Sequence, residues 1–295
     1  MIIGYDGSAN GEDALALGRV LAETLAATPV VLSVLRYPDH LITAEELDAA
    51  VTQFSDPLFA KARERLAGLE IETQAVANDS PAHSLEVTAE ERKPILLVLG
   101  STHRGPVGRV LLGSVGEGML SGAPCPIAVA PRGYAEREER SLQRIAVAVD
   151  GSEEGWSALD AAAAIAERLH AELEVLSVVE FPLPDWGAGF EAISAAEYET
   201  AVRKGTEEVL DQALARVPEA LEAKRRMLEG DPADAIAGAA EDYDLLVVGS
   251  RAYGPLRRVL LGSVSARLMR SSPCPVLVLP RDAGEDPLGL GGERR

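Results

Sequence analysis

"RVLLGSV" fills residues 109–115 and recurs unchanged at 258–264. The likeness runs outward from this heptad. Gly105-Pro106 and Gly254-Pro255 stand at the same distance before it. Earlier still comes an apolar run ending in Gly-Ser, "ILLVLGS" (95–101) and "LLVVGS" (245–250), and Pro-Cys-Pro follows at 124–126 and 273–275. A spacing of 149 positions in a chain of 295 residues marks two copies of one unit. Each copy is long enough for a core of its own.

Both copies follow the same order. A first apolar run, Met1 to Tyr5 and Ile145 to Val149, ends in Asp-Gly-Ser (6–8 and 150–152). A helix follows, with Leu17, Val20, Leu21 and Leu25 on one stripe in the first copy. Leu159, Ala163, Ala166 and Leu169 make the corresponding stripe in the second. Next come "PVVLSVL" and "LEVLSVV", short and β-branched, as buried strands are. Helices are expected near 44–68 and 194–217, and third strands near 71–76 and 224–228. The turns "NDSPAHSL" and "EGDPADAI" place proline at a helix start, where its fixed φ and missing donor suit. A third helix leads to strand four (95–99 and 245–248), the repeated loop, a short helix and a fifth strand, "PIAVAP" and "PVLVLP".

Strands apolar along their whole length, alternating with helices, predict a parallel sheet covered on both faces. With right-handed crossovers the expected fold class is α/β, two tandem doubly wound, Rossmann-like domains. The domains are expected at 1–131 and 144–281. A charged linker joins them at 132–143, and 282–295 is expected to be a disordered tail without a core pattern.

Composition narrows the function. A net charge of −19 repels phosphate backbones, so nucleic acid is not expected as a partner. The same acidity serves solubility, and one loop of backbone amides still suffices for a nucleotide. The four lysines, Lys61, Lys93, Lys204 and Lys224, lie outside both repeated loops, which excludes a Walker P-loop. Gly-x-Gly-x-x-Gly does not follow strand one, which excludes the dinucleotide fingerprint. Cys125 and Cys274 occupy equivalent positions and read as buried small residues, with an inter-repeat disulfide or redox role as the alternative. No histidine or cysteine stands at ligand spacing, so no metal site is expected. No run reaches the ~18 apolar residues of a membrane span. The chain opens directly on a strand without a leader, so a cytoplasmic location is the default expectation.

The chemistry gathers in the loop after strand four. It reads Gly100-Ser-Thr-His103, nine residues, then Gly113-Ser114 in the first copy. The second copy reads Gly249-Ser-Arg-Ala252, nine residues, then Gly262-Ser263. A glycine loop running into a helix at the carboxyl end of a strand offers unpaired amides in a favourable dipole field, which suits phosphate. Gly-Ser before a helix is equally an ordinary N-cap. Asp6 and Asp150 either contact a base or ribose edge or organise the Asp-Gly-Ser turn. Val110, Leu111 and Leu112, with Val259, Leu260 and Leu261, are expected to anchor the loops on the core. Arg104, Arg109, Arg251, Arg257 and Arg258 either pair with phosphates or line a solvated face.

These residues, in this order, resemble the universal stress protein family in its tandem form, over nearly the whole chain. ATP-binding members of the family carry Gly-x2-Gly-x9-Gly-Ser/Thr after strand four and an Asp at the end of strand one. The resemblance implies that Asp6 and Val34 hold adenosine in the first copy, and that Gly100, Gly113, Ser114 and Val115 hold ribose and phosphates. The matching set in the second copy is Asp150 and Val178, then Gly249, Gly262, Ser263 and Val264. Both copies depart from the pattern at the middle glycine, where His103 and Ala252 stand. A residue with a side chain costs on the order of 1 kcal/mol there if φ is positive. His103 either faces solvent or contacts the ligand.

The implied ligand is ATP, with ADP or AMP as alternatives and Mg²⁺ carried on the phosphates. The resemblance also implies an internal pseudo-dimer, self-association through the fifth strands and a regulatory protein partner. No catalytic set accompanies the loops, so a regulatory binder rather than an enzyme is expected. A nucleotide-free scaffold and a weak hydrolase are the alternatives. Gly116 and Gly118 weaken the helix after the first loop by about 1 kcal/mol each relative to alanine, so the second copy is expected to bind more tightly.

Overall fold

In the computed structural model, the described residues are 1–36, 43–102, 109–110, 113–119, 123–137, 141–181, 195–250, 262–280 and 288–290. The first half contributes β1 (Ile2–Gly4), α1 (Ala9–Leu25), β2 (Val30–Leu35), α2 (Ala44–Arg65), β3 (Glu72–Ala77), α3 (Pro81–Arg92), β4 (Leu97–Gly100), α4 (Ser114–Met119) and β5 (Ile127–Ala130). The second contributes β6 (Arg144–Ala148), α5 (Glu153–Leu169), β7 (Glu172–Val179), α6 (Ala195–Arg216), β8 (Ala223–Glu229), α7 (Pro232–Ala239), β9 (Leu245–Gly249), α8 (Ser263–Ser271) and β10 (Val276–Leu279).

The strands form a single sheet in the order β3-β2-β1-β4-β5-β10-β9-β6-β7-β8. Every pairing within a half is parallel, and only β5 with β10 is antiparallel. Alternation along each strand sends neighbours to opposite faces. Ile3, Val98 and Val147 belong to one core, which α1, α2, α5 and α6 cover. Ile2, Leu97 and Ala146 belong to the other, under α3, α4, α7 and α8. The expected doubly wound α/β fold and internal pseudo-dimer are therefore present. The strand order reverses between β1 and β4, and again between β6 and β9. The crevices for a ligand lie at the carboxyl ends of those strands.

The fifth strands meet inside the chain, with Val276 opposite Val129, Leu277 opposite Ala128 and Val278 opposite Ile127. They are satisfied there, so association between chains would need another surface. This register also separates the cysteines. Each lies three residues outside the 128/277 pair, on opposite sides of it, which at ~3.3 Å per residue sets them far beyond disulfide reach. Both thiols are free and buried.

Two segments differ from expectation. In the charged stretch 132–143, Tyr134 and Leu142 are 2% and 4% exposed and belong to the core. Asp13 of α1 holds the stretch in place by accepting from the Gly133 and Ala135 amides, both at 2.8 Å. In the tail, Leu288 is 1% exposed and Leu290 packs on the same core, so expected disorder does not describe residues 288–290. In both places single apolar residues are buried without the periodic pattern that announces a helix or strand.

Candidate nucleotide site

Each crevice begins at the Asp-Gly-Ser turn. Gly7 and Gly151 take φ of +77° and +82°, the left-handed region where a side chain is strained. The Asp6 Oδ1 accepts from the Ser8 amide at 3.0 Å and from its hydroxyl at 2.5 Å. Asp150 accepts from Ser152 in the same way. The serine hydroxyl then accepts from the Gly11 or Gly155 amide, at 3.2 and 3.1 Å, and caps α1 or α5. Both aspartates thus organise their turns through Oδ1. Both are exposed, and among the described residues Oδ2 has no partner in either half.

Gly100 and Gly249, read from sequence as phosphate-approach glycines, have a packing reason of their own. A Cβ on Gly100 would lie 1.9 Å from the Asn10 carbonyl oxygen, and one on Gly249 would lie 2.7 Å from that of Glu154. The ends of β4 and β9 run against the first turn of α1 and α5, so these glycines set where the aspartate turns stand.

In the second half, the crevice opens into a cavity of about 860 Å³. Asp150, Val178, Gly249, Gly262, Ser263 and Val264 all line it, so the structure brings together every described residue of the predicted set. Gly262 precedes α8 with φ −73°, a conformation open to any residue, so backbone angle does not require glycine there. Its amide donates to Ser265 Oγ at 2.9 Å, while the following first-turn amides have no intrahelical acceptor. Ser250 also lines the cavity, and its Oγ is buried without a partner. Its counterpart Ser101 donates to the Ala130 carbonyl at 2.7 Å. Sequence reasoning missed this difference because the serines are identical and only their surroundings differ.

In the first half, Asp6, Val34, Gly100, Gly113, Ser114 and Val115 occupy the same topological places at the ends of β1, β2 and β4 and the start of α4. Val115 and Val264 both pack on the second core, which supports the helix starts. Val110 is fully buried, as expected of a loop anchor. His103, Ala252, Arg104, Arg251, Arg257, Arg258, Leu111, Leu112, Val259, Leu260 and Leu261 lie outside the described residues.

The helices after the loops are held differently. Arg267 of α8 reaches Asp231 at 2.7 Å and Asp234 at 2.6 Å on α7. The Asp234 amide, with the Arg267 guanidinium, holds the Asp231 carboxyl below the usual range. The matching residue of α4 is Gly118, whose Cβ would lie 2.8 Å from Ala82 Cβ. That glycine, expected as a helix defect, permits close contact between α3 and α4.

Arg109 crosses the seam and donates to the Ser271 carbonyl at 2.9 Å, with Glu241 at 3.5 Å.

The described residues lining the cavity include Asp150, Glu154 and Glu180 and no lysine or arginine. Among the described residues, backbone amides and hydroxyls supply the donors there. No group of three or more His, Cys, Asp or Glu suited to a metal occurs among the described residues. Nor is any helix among them long and apolar enough to cross a membrane.

A doubly wound tandem sheet with a glycine-serine helix start at each switch point defines the class. A sequence profile of the Universal stress protein family matches residues 1–131 and 141–280. The chain belongs to that family. A universal stress protein of Mycobacterium tuberculosis (strain H37Rv) is 28% identical over 295 residues, covering 95% of this chain and 99% of its own. A second one from the same strain is 30% identical over 220 residues, covering 71% and 69%. The crystal structure of a universal stress protein from Archaeoglobus fulgidus DSM 4304 shares the fold. Its TM-score is 0.69 at 22% identity, with 95% and 98% of the two chains covered.

Proposed function

We propose that this chain is a regulatory universal stress protein that binds an adenine nucleotide, with ATP as the first candidate, in the cavity of its second half. The carrying observation is the meeting, in one cavity, of donors that have no partner among the described residues. These are the first-turn amides of α8 and the partnerless Ser250 hydroxyl. Asp150 Oδ2 would accept from the nucleoside, Val178 would pack on it, and Gly249, Gly262, Ser263 and Val264 would border ribose and phosphates. The phosphates of a bound nucleotide would accept from these amides and hydroxyls, and Mg²⁺ would ride on the phosphates and offset their charge beside Asp150, Glu154 and Glu180.

The two repeats, about 1–131 and 144–281, each carry one candidate site and share one sheet. The output is a surface read by a regulatory protein partner rather than a turnover reaction: among the described residues neither a lysine nor a metal-ligating group accompanies the donors. The test is a thermal melt with and without millimolar ATP, joined to mass spectrometry of small molecules released from purified protein. Ligand binding to the folded state alone raises the melting temperature. No shift and no released nucleotide would favour a nucleotide-free scaffold.

A further inference from the structure

We propose that Gly205 of α6 and its counterpart Phe54 of α2 decide which half accepts a nucleoside: glycine opens the second cavity, and phenylalanine closes the first. This rests on the nucleotide reading above and deepens it.

The Asp-Gly-Ser turns establish the correspondence between the helices. A Cβ on Gly7 would lie 2.5 Å from Leu58 Cδ2, and one on Gly151 would lie 3.2 Å from Val209 Cγ2. Leu58 and Val209 therefore hold the same place, and both pack on the first core. One helical turn earlier, on the same face, stand Phe54 and Gly205.

Gly205 lines the cavity with Val202, Thr206 and Val209. A Cβ built on it meets nothing within 4 Å, so no neighbour requires the glycine. Its φ is not positive, so the backbone does not require it either. Glycine inside a helix lowers helix stability, and what it provides here is open space. The first half has a half-buried phenylalanine at this position. The neighbouring pairs are conservative, Val51 for Val202 and Ser55 for Thr206. An aromatic ring at this wall takes up room that a planar base would otherwise use.

The test has two readouts. ATP stoichiometry and affinity come from equilibrium dialysis on the full chain and on Gly205→Phe and Phe54→Ala. The second readout needs no nucleotide. It is the rate of bulky maleimide labelling of Val178→Cys and Val34→Cys, alone and with each wall variant. Background is low because burial pushes both native thiols up to about 12. The expected result is one ATP per chain, at least tenfold weaker binding in Gly205→Phe, and a second site in Phe54→Ala. Labelling is expected at least tenfold faster at Val178→Cys than at Val34→Cys. Phe54→Ala should accelerate the latter, and Gly205→Phe should slow the former. If Gly205→Phe does not fold by thermal melt, Gly205→Leu takes its place. The labelling pattern without any ATP binding upholds the wall assignment and removes the nucleotide reading. Equal labelling of the two cysteines, unchanged by Phe54→Ala, or two equal ATP sites in the native chain, overturns the wall assignment.

Discussion

Ala128 of β5 and Leu277 of β10, equivalent residues of the two copies, stand directly opposite each other in the antiparallel seam. The pseudo-two-fold axis passes between them, and it makes one sheet of two. Both are fully buried, and both cores run across the seam. Leu277→Ala leaves a cavity on the axis. It is expected to cost about 2–5 kcal/mol and to lower stability in one cooperative transition. Urea unfolding followed by circular dichroism checks this. Two separated transitions would show that the halves unfold independently.

At Gly100, room for a side chain is set by a helix from elsewhere in the chain. A methyl group there would meet the Asn10 carbonyl at 1.9 Å, whereas one at Gly113 would lie 3.5 Å from Thr102 Cβ. Gly100→Ala is expected to cost about 3 kcal/mol or more, and Gly113→Ala less than about 1. Urea midpoints of the two variants give the comparison. Similar values would mean that α1 shifts freely.

This contrast shows what could be read without coordinates. The succession of strands and helices, and with it the doubly wound class, followed from the repeated apolar runs, because fully buried parallel strands and their crossover helices have local patterns. The predicted residues of the second cavity met because the family pattern places them at strand ends. Gly100 was assigned to the ligand because its contact with Asn10 has no local signature. Arg109 was left between a phosphate and solvent because its acceptor lies 162 positions away. Leu288 has no periodic neighbours to announce its burial. Pairings made by single residues across long separations are invisible to periodicity.

Glu12 predicts a pH dependence of stability. It accepts from the Tyr5 hydroxyl at 2.7 Å and pairs with Lys61 and Arg65 of α2, each at 2.8 Å. Burial acts to raise its carboxyl, but Lys61, Tyr5 and Arg65 outweigh that and hold it below the ordinary value of 4.5. The folded chain therefore binds this proton less readily than the unfolded chain. The stabilisation is present above the unfolded value and is lost as pH falls through the lower folded one. Glu12→Gln is expected to cost about 1–2 kcal/mol at pH 7, with the difference from the native chain shrinking below pH 4.5. Melting temperatures across pH 3–7 check it, and a difference independent of pH would assign the loss to packing.

The last prediction concerns communication across the seam. Arg109 and Val110 belong to the loop of the first half, yet they hold the far end of α8. The Arg109 guanidinium reaches the Ser271 carbonyl, and the Val110 amide donates to the Ser272 carbonyl at 2.7 Å. The other end of α8 borders the cavity. A cation at a helix carboxyl terminus is worth roughly 0.3–1 kcal/mol, and here it also satisfies a terminal carbonyl. Arg109→Ala is therefore expected to weaken ATP binding in the second half by about two- to fivefold, although Arg109 lies outside the cavity. Arg270→Ala is the comparison: Arg270 is a cation in the same last turn of α8, but among the described residues it pairs with the exposed Glu117 at 3.5 Å and holds no terminal carbonyl. Its loss of affinity should be smaller than that of Arg109→Ala. Calorimetric titration of both variants decides the matter. Equal affinities would mean that the α7 contacts of Arg267 alone position α8, and a larger loss in Arg109→Ala would make the loop of one half a control element for the site of the other.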